Sequence, residues 1–177
     1  GFLSYYDGYL KIPNKELMLE FEKALEDESF GYVSKIIENS KSMLKATVNK
    51  DVKIIEEILH DIHNSEIPIL QYNDENSLSC VLTLAYLSAI DNYRVEREEK
   101  TGKGYADFTF HPRRKNDTAF IVELKKDEKP EIALKQIRSK EYVEKFKREN
   151  MGKKILAVAI CYDSKEKEHH CLIEEID

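Results

Sequence analysis

Tryptophan is absent from these 177 residues, and glycine, proline and cysteine number only 6, 4 and 3. So few chain-breaking residues, beside 41 % apolar and 35 % charged ones, exclude a disordered chain and leave enough apolar mass for a core. The length suits one domain, or one domain with a small appendage. No apolar run approaches the roughly 20 residues that cross a bilayer, so no membrane association is expected. A charged-then-apolar leader is missing from the start, and the chain opens on Gly1 rather than Met, as a piece excised from a longer protein would. Cys80, Cys161 and Cys171 are odd in number and have no C-x-x-C spacing. That fits a reducing, cytoplasmic compartment, with each thiol serving as a small buried apolar residue. The phosphate-binding pattern G-x-x-x-x-G-K-[ST] is also absent, so the chain is not expected to hydrolyse ATP itself. There is no internal repeat.

Charge is present but uneven. Residues 1–90 hold 8 Lys/Arg against 15 Asp/Glu, residues 91–154 hold 18 against 13, and residues 155–177 hold 2 against 6. The middle stretch alone is basic, and a polyanion would be drawn there despite a net charge of -6. A set of solvated Lys/Arg faces explains the same excess.

Periodicity sets out the elements. Aromatic alternation around Asp7-Gly8 predicts a short hairpin or extended lead-in. Leu17, Phe21 and Leu25, behind the plausible cap Asn14, predict a helix. Helical spacing continues through "FGYVSKIIENSKSMLKATV" and through "DVKIIEEILHDIHN", where Val52, Ile55, Leu59 and Ile62 form one stripe. Residues 1–68 thus read as an N-terminal helical block, and residues 69–177 as the core. In the core, the expected order is a helix over 74–90, a strand at "YRVEREE", a turn at 101–104, and strands at 105–111 and 118–125. A helix from Pro130 to about 148, a buried strand over 153–162 and an edge strand at "EHHCLIEEI" complete it. Short links make the first three strands an antiparallel meander. The helix after Pro130 then acts as a crossover, setting strand 153–162 parallel to strand 118–125. The fold class is α/β: a mixed sheet flanked by helices.

Two acids interrupt the strongest strands. Asp107 precedes Phe108 and Phe110, and Glu123 lies among Ile121, Val122 and Leu124. Side chains alternate across a strand, so Asp107, Thr109 and His111 share a face, as do Ile121, Glu123 and Lys125. If the hairpin folds symmetrically about Lys115, Asp107 falls opposite Glu123, with Cβ atoms about 5 Å apart. Carboxylates that close repel unless a cation or proton lies between them. Two acid oxygens with retained waters describe a Mg²⁺ (or Mn²⁺) site, beside which Lys125 is placed to hold a water or neutralise a phosphate. The plainer alternative is a surface ion pair between Glu123 and Lys125, with Asp107 at a strand end.

The ordered set "GYAD", fifteen residues, "ELK", then a helix carrying "ALKQIRSKEY" resembles the PD-(D/E)XK nuclease superfamily. More narrowly it is similar to the C-terminal domain of bacterial AAA-ATPase-like proteins. The resemblance implies a restriction-endonuclease-like core and Mg²⁺-dependent hydrolysis of nucleic acid, DNA in preference to RNA, beside a fused or associated AAA-type ATPase region. Carried over, Gly104 and Asp107, Glu123 and Lys125, and Gln136 match the motif. Glu75 matches the first-helix acid, assisting at the metal. Asp107 and Glu123 would bind metal with the Leu124 carbonyl as an extra ligand, and Lys125 would position the water. No proline precedes Asp107, a departure from the superfamily's name.

Other candidates stand with two readings each. At about 100° per residue, Gln136 falls within the arc of Ile132, Val143 and Ala133, where its amide serves either the site or packing. Glu75 also suits a helix's first turn on dipole grounds alone. Arg113, Arg114 and Lys115, in the hairpin loop, contact phosphates or are simply solvated. His60 and His63 have i,i+3 spacing but no third ligand, and His169 and His170 point to opposite faces. Two functions follow: a metal-dependent nuclease, or an inactive nuclease-like module that binds nucleic acid or a protein partner for an attached ATPase.

Overall fold

The computed structural model describes residues 4–6, 9–11, 15–16, 28–64, 75–97, 107–139 and 141–176. It divides into two compact units, Gly1–Glu38 and Asn39–Asp177. In the first, β1 (Ser4–Tyr6) pairs antiparallel with β2 (Tyr9–Lys11), Tyr6 opposite Tyr9, on either side of Asp7-Gly8 as predicted. The helix expected around Leu17, Phe21 and Leu25 lies outside the described residues, as does the turn at 101–104. So does the stretch 65–74, which contains the expected division at 68/69.

Helix α1 (Glu28–Asn49) ends where Lys50 adopts φ 59°, reversing the chain so that Asp51 N–H donates to the Ala46 carbonyl at 2.8 Å. Helix α2 (Val52–Asn64) follows, then α3 (Glu75–Ala85), shorter than expected because the chain tightens into a 3-10 turn over Leu87–Asp91. Five strands make the main sheet: β3 (Tyr93–Arg97), β4 (Phe108–Pro112), β5 (Ala119–Lys126), β6 (Ile155–Asp163) and β7 (Glu168–Glu175). They lie in sequence order, all pairs antiparallel except β5 with β6. The parallel pair follows from the helical crossover, here two helices rather than one: α4 (Pro130–Ser139) and α5 (Glu141–Glu149). The mixed α/β sheet is thus as read from the sequence, and it is consistent with a restriction-endonuclease-like fold.

Alternation along the strands builds two cores. Phe108, Phe110, Phe120, Val122 and Leu124 face α1, α2 and α3, meeting Met43, Ile55, Leu59, Val81 and Leu82. Ala119, Ile121, Ala157 and Ala159 face α4 and α5, meeting Ala133, Leu134, Ile137, Val143 and Phe146. Strand β6, covered on both faces, is buried from Ile155 to Tyr162. This is why its sequence is continuously apolar rather than alternating. Two expectations fail here. Cys80 is exposed while Cys161 and Cys171 are buried. Ile132 is 47 % exposed, so the apolar stripe of α4 runs through Ala133, Leu134 and Ile137 and leaves Gln136 at its margin.

Candidate active site

The hairpin register decides whether the two acids meet. Phe108 lies opposite Val122, Thr109 opposite Ile121 and Phe110 opposite Phe120, a register centred on Lys115. One more position in the same register, just before β4 begins, would set the half-buried Asp107 across from Glu123. A backbone bond fixes Asp107 there: Leu124 N–H donates to its Oδ2 at 2.7 Å. Sequence reasoning had no means of finding this anchor, because it depends on how two separate segments meet in space.

Glu123 is only 2 % exposed, the one acid inside the buried run of β5. An ionised carboxylate there needs charged or hydrogen-bonding partners, since desolvation alone costs several kcal/mol. Its Oε1 receives the Gln136 amide, projected from the second turn of α4, and lies 3.4 Å from Lys125 Nζ. Lys125 is itself largely covered, at 16 % side-chain exposure. Gln136 thus bonds a site carboxylate rather than serving packing alone. Glu123, Lys125 and Gln136 are thus in contact at the C-terminal end of the parallel strand β5, where ligands gather in α/β sheets, and Asp107 is bonded to the neighbouring Leu124.

Cys161 lies beside Lys125 in the β5–β6 register. Burial, with Glu128 adding to it, pushes its thiol up to about 12, so it is neutral at physiological pH and no soft thiolate competes for a metal. The two carboxylates offer the hard-oxygen chemistry that a divalent cation takes.

Glu75 opens α3, whose buried Leu78, Val81 and Leu82 pack under the opposite face of the sheet, and its side chain, like Gly104, is outside the described residues. Arg113, Arg114 and Lys115 are exposed at the closed end of the hairpin. The five steps from Asp107 to Pro112, at about 3.3 Å per residue, already separate them from Asp107 by roughly 17 Å. They do not converge on the acids. His63 is buried against β7, its Nδ1 3.2 Å from His169 Nε2, while His60 is exposed. Burial first, then His63, lowers the His169 pKa to about 3, which keeps that ring neutral. His169 and His170 differ in burial as opposite-facing neighbours should.

Residues 73–170, more than half of the chain, match the family model of the PD-(D/E)XK nuclease superfamily. The chain belongs to that superfamily. The matched segment contains the acids, Lys125 and Gln136, and runs from the approach to α3 into β7. PD-(D/E)XK nucleases typically use divalent metals, in keeping with the donor set described above. No curated protein and no solved structure matches the chain. Among the described residues, no helix is long and apolar enough to cross a membrane.

Proposed function

We propose that this PD-(D/E)XK chain is a Mg²⁺-dependent nuclease that hydrolyses phosphodiester bonds of DNA, in preference to RNA, with Asp107, Glu123 and Lys125 as its working groups. The observation that carries this reading is the burial of Glu123 beside Lys125 and Gln136, at the strand position opposite Asp107. A chain gains nothing in packing from a nearly inaccessible acid that must be held by an amine and an amide.

Asp107 and Glu123, with the Leu124 carbonyl, would hold the ion. Bound there, a divalent ion supplies Lewis acidity, easing deprotonation of water and shielding the phosphate. Asp107 is oriented for that task by the Leu124 N–H, and Glu123 by Gln136. The Lys125 ammonium, held at 3.4 Å from Glu123, donates to the attacking water and balances charge developing on the phosphoryl oxygens. Glu75 would assist from α3. Arg113, Arg114 and Lys115 would hold phosphates several nucleotides away, adding affinity rather than rate. The cytoplasmic setting expected from the free cysteines, and an AAA-type ATPase joined through residues 1–68, complete the proposal.

A second reading has one observation in its favour. Glu123 Oε1 already receives Lys125 and Gln136, as it would in a domain that keeps the fold and only binds. Incubating plasmid and single-stranded DNA with Mn²⁺ separates the two. The nuclease reading expects cleavage by the native chain and none by Lys125→Ala. Equal cleavage by both, or none by either, overturns it.

A further inference from the structure

Strand β3 lies at one edge of the main sheet, and among the described residues β4 is its one strand neighbour. Arg113 N–H donates to the Asn92 carbonyl at 2.9 Å, which makes these two a bonded pair of the ladder. Bonded and non-bonded pairs alternate between antiparallel strands, so Arg94 with His111 and Glu96 with Thr109 are the next bonded pairs. Tyr93 falls in a non-bonded pair, and Pro112 opposite it has no N–H to give. The N–H and carbonyl groups of Tyr93, Val95 and Arg97 therefore point away from β4. Among the described residues, none of these outer groups has a backbone partner. Such a row of open donors and acceptors is a template for another strand.

The side chains indicate which strand. β3 reads Tyr-Arg-Val-Glu-Arg. Laid antiparallel on a second copy about Val95, it pairs Tyr93 with Arg97, Val95 with Val95 and Arg94 with Glu96. All three outward-pointing residues then fall in bonded pairs, and opposite charges meet twice, in the closer non-bonded positions. Centring the pair on Arg94 or on Glu96 instead sets like charges face to face, which is destabilising. Within one chain Arg94 reaches Glu96 at 3.2 Å and Glu149 at 3.3 Å, so both charges of the strand lie together on one face. On the other face, Tyr93, Val95 and Arg97 border a groove of about 460 Å³ with Leu82, Ile90 and Phe108. Ile90 is 56 % exposed, leaving apolar surface beside the open edge.

We propose that β3 pairs antiparallel with β3 of a second copy of this chain, about a twofold axis at Val95, joining two five-stranded sheets into one. Charged residues ordinarily keep sheet edges apart. Here their alternation in sign makes a second copy the matching strand. The strand is five residues long, which puts the contact at the small end of specific interfaces, so the dimer forms in a concentration-dependent way.

The test is sedimentation of the 177-residue chain over about a hundredfold range of concentration, native and in three variants. Val95→Pro removes the central outward N–H without touching a bond to β4, a position where an edge strand tolerates proline. Arg94→Glu and Glu96→Arg each set like charges opposite one another in a self-pair. Mixed together, those two variants restore opposite charges at both positions. The native chain is expected to reach twice the single-chain mass. Each variant alone should associate at least about tenfold more weakly, and the mixture of Arg94→Glu with Glu96→Arg should recover the native affinity. Circular dichroism shows which variants fold. Should Val95→Pro unfold, the charge exchange decides, and should a charge variant unfold, Val95→Pro decides. A native chain that stays single at every concentration leaves the edge to a strand of another protein and overturns the proposal. So does native association in Val95→Pro, or failure of the two folded charge variants to associate when mixed. None of these readouts involves metal or cleavage, so the dimer and the nuclease reading fail independently.

Discussion

The two faces of the central sheet use the same strands for opposite ends. Facing α1, α2 and α3, alternate residues of β4 and β5 are Phe108, Phe110, Phe120, Val122 and Leu124, with Phe110 and Phe120 stacked at 4.2 Å between ring centroids. Facing α4 and α5, the intervening residues begin apolar, at Ala119 and Ile121, and then turn to Glu123 and Lys125 as the strand leaves the sheet's centre. One face is spent on cohesion. The other gives up cohesion at its C-terminal end to hold charge, and α4 contributes Gln136 there to keep the buried acid satisfied. If this division is right, damage to the first face lowers stability, and damage to the charged end of the second lowers activity.

The largest effect should come from the apolar face. Phe120→Ala removes a fully buried ring and should cost about 3–5 kcal/mol, read as a lower denaturant midpoint in urea. On the charged end, Asp107→Asn and Glu123→Gln should each lower Mn²⁺-dependent cleavage at least about a hundredfold while shifting the melting temperature little. A large fall in melting temperature with activity per folded molecule intact would erase the contrast between the faces.

How far the sequence carried this picture depended on the range of the interaction. The register about Lys115 follows from period-2 alternation and a short hairpin loop, and the parallel β5–β6 pair from the helical crossover, which are local signals. The break between α4 and α5, the exposure of Ile132 and Cys80, and the Leu124 anchor on Asp107 were not legible, because each depends on which neighbour the element meets in space. The arc of α4 had been centred on Ile132, which faces solvent, so Gln136 lies at the margin of the apolar stripe rather than within it.

A smaller effect sharpens the comparison through pH. His111, on the charged face but at its far end, is buried against Phe146 and bonded to Asn150 Nδ2 at 3.1 Å. Burial first, then Arg94, lowers its pKa, while Glu96, Glu149 and Lys153 also act on it, the two acids in the opposite sense. The folded state therefore favours the neutral ring. Its contribution to stability is full above about pH 6.5, the unfolded value, and falls as pH drops through the lowered folded value. The melting temperature should decline more steeply below pH 6.5 in the native chain than in His111→Gln. An identical slope in both would place the acid sensitivity elsewhere.

The smallest effect belongs to the hairpin loop. Replacing Arg113, Arg114 and Lys115 together by alanine should leave the melting temperature unchanged, because all three are exposed. It should weaken DNA binding at low salt and flatten its salt dependence by up to about three phosphate contacts. A loss of cleavage as severe as that of Asp107→Asn would mean that the loop reaches the reacting phosphate after all.

The central claim is that Asp107 and Glu123 jointly hold a divalent ion. Calorimetric titration with Mn²⁺ tests it most directly. One binding event that involves these two acids is predicted in the native chain, and its loss in either Asp107→Asn or Glu123→Gln. Undiminished Mn²⁺ heats in both, from chains that melt normally, would contradict the account.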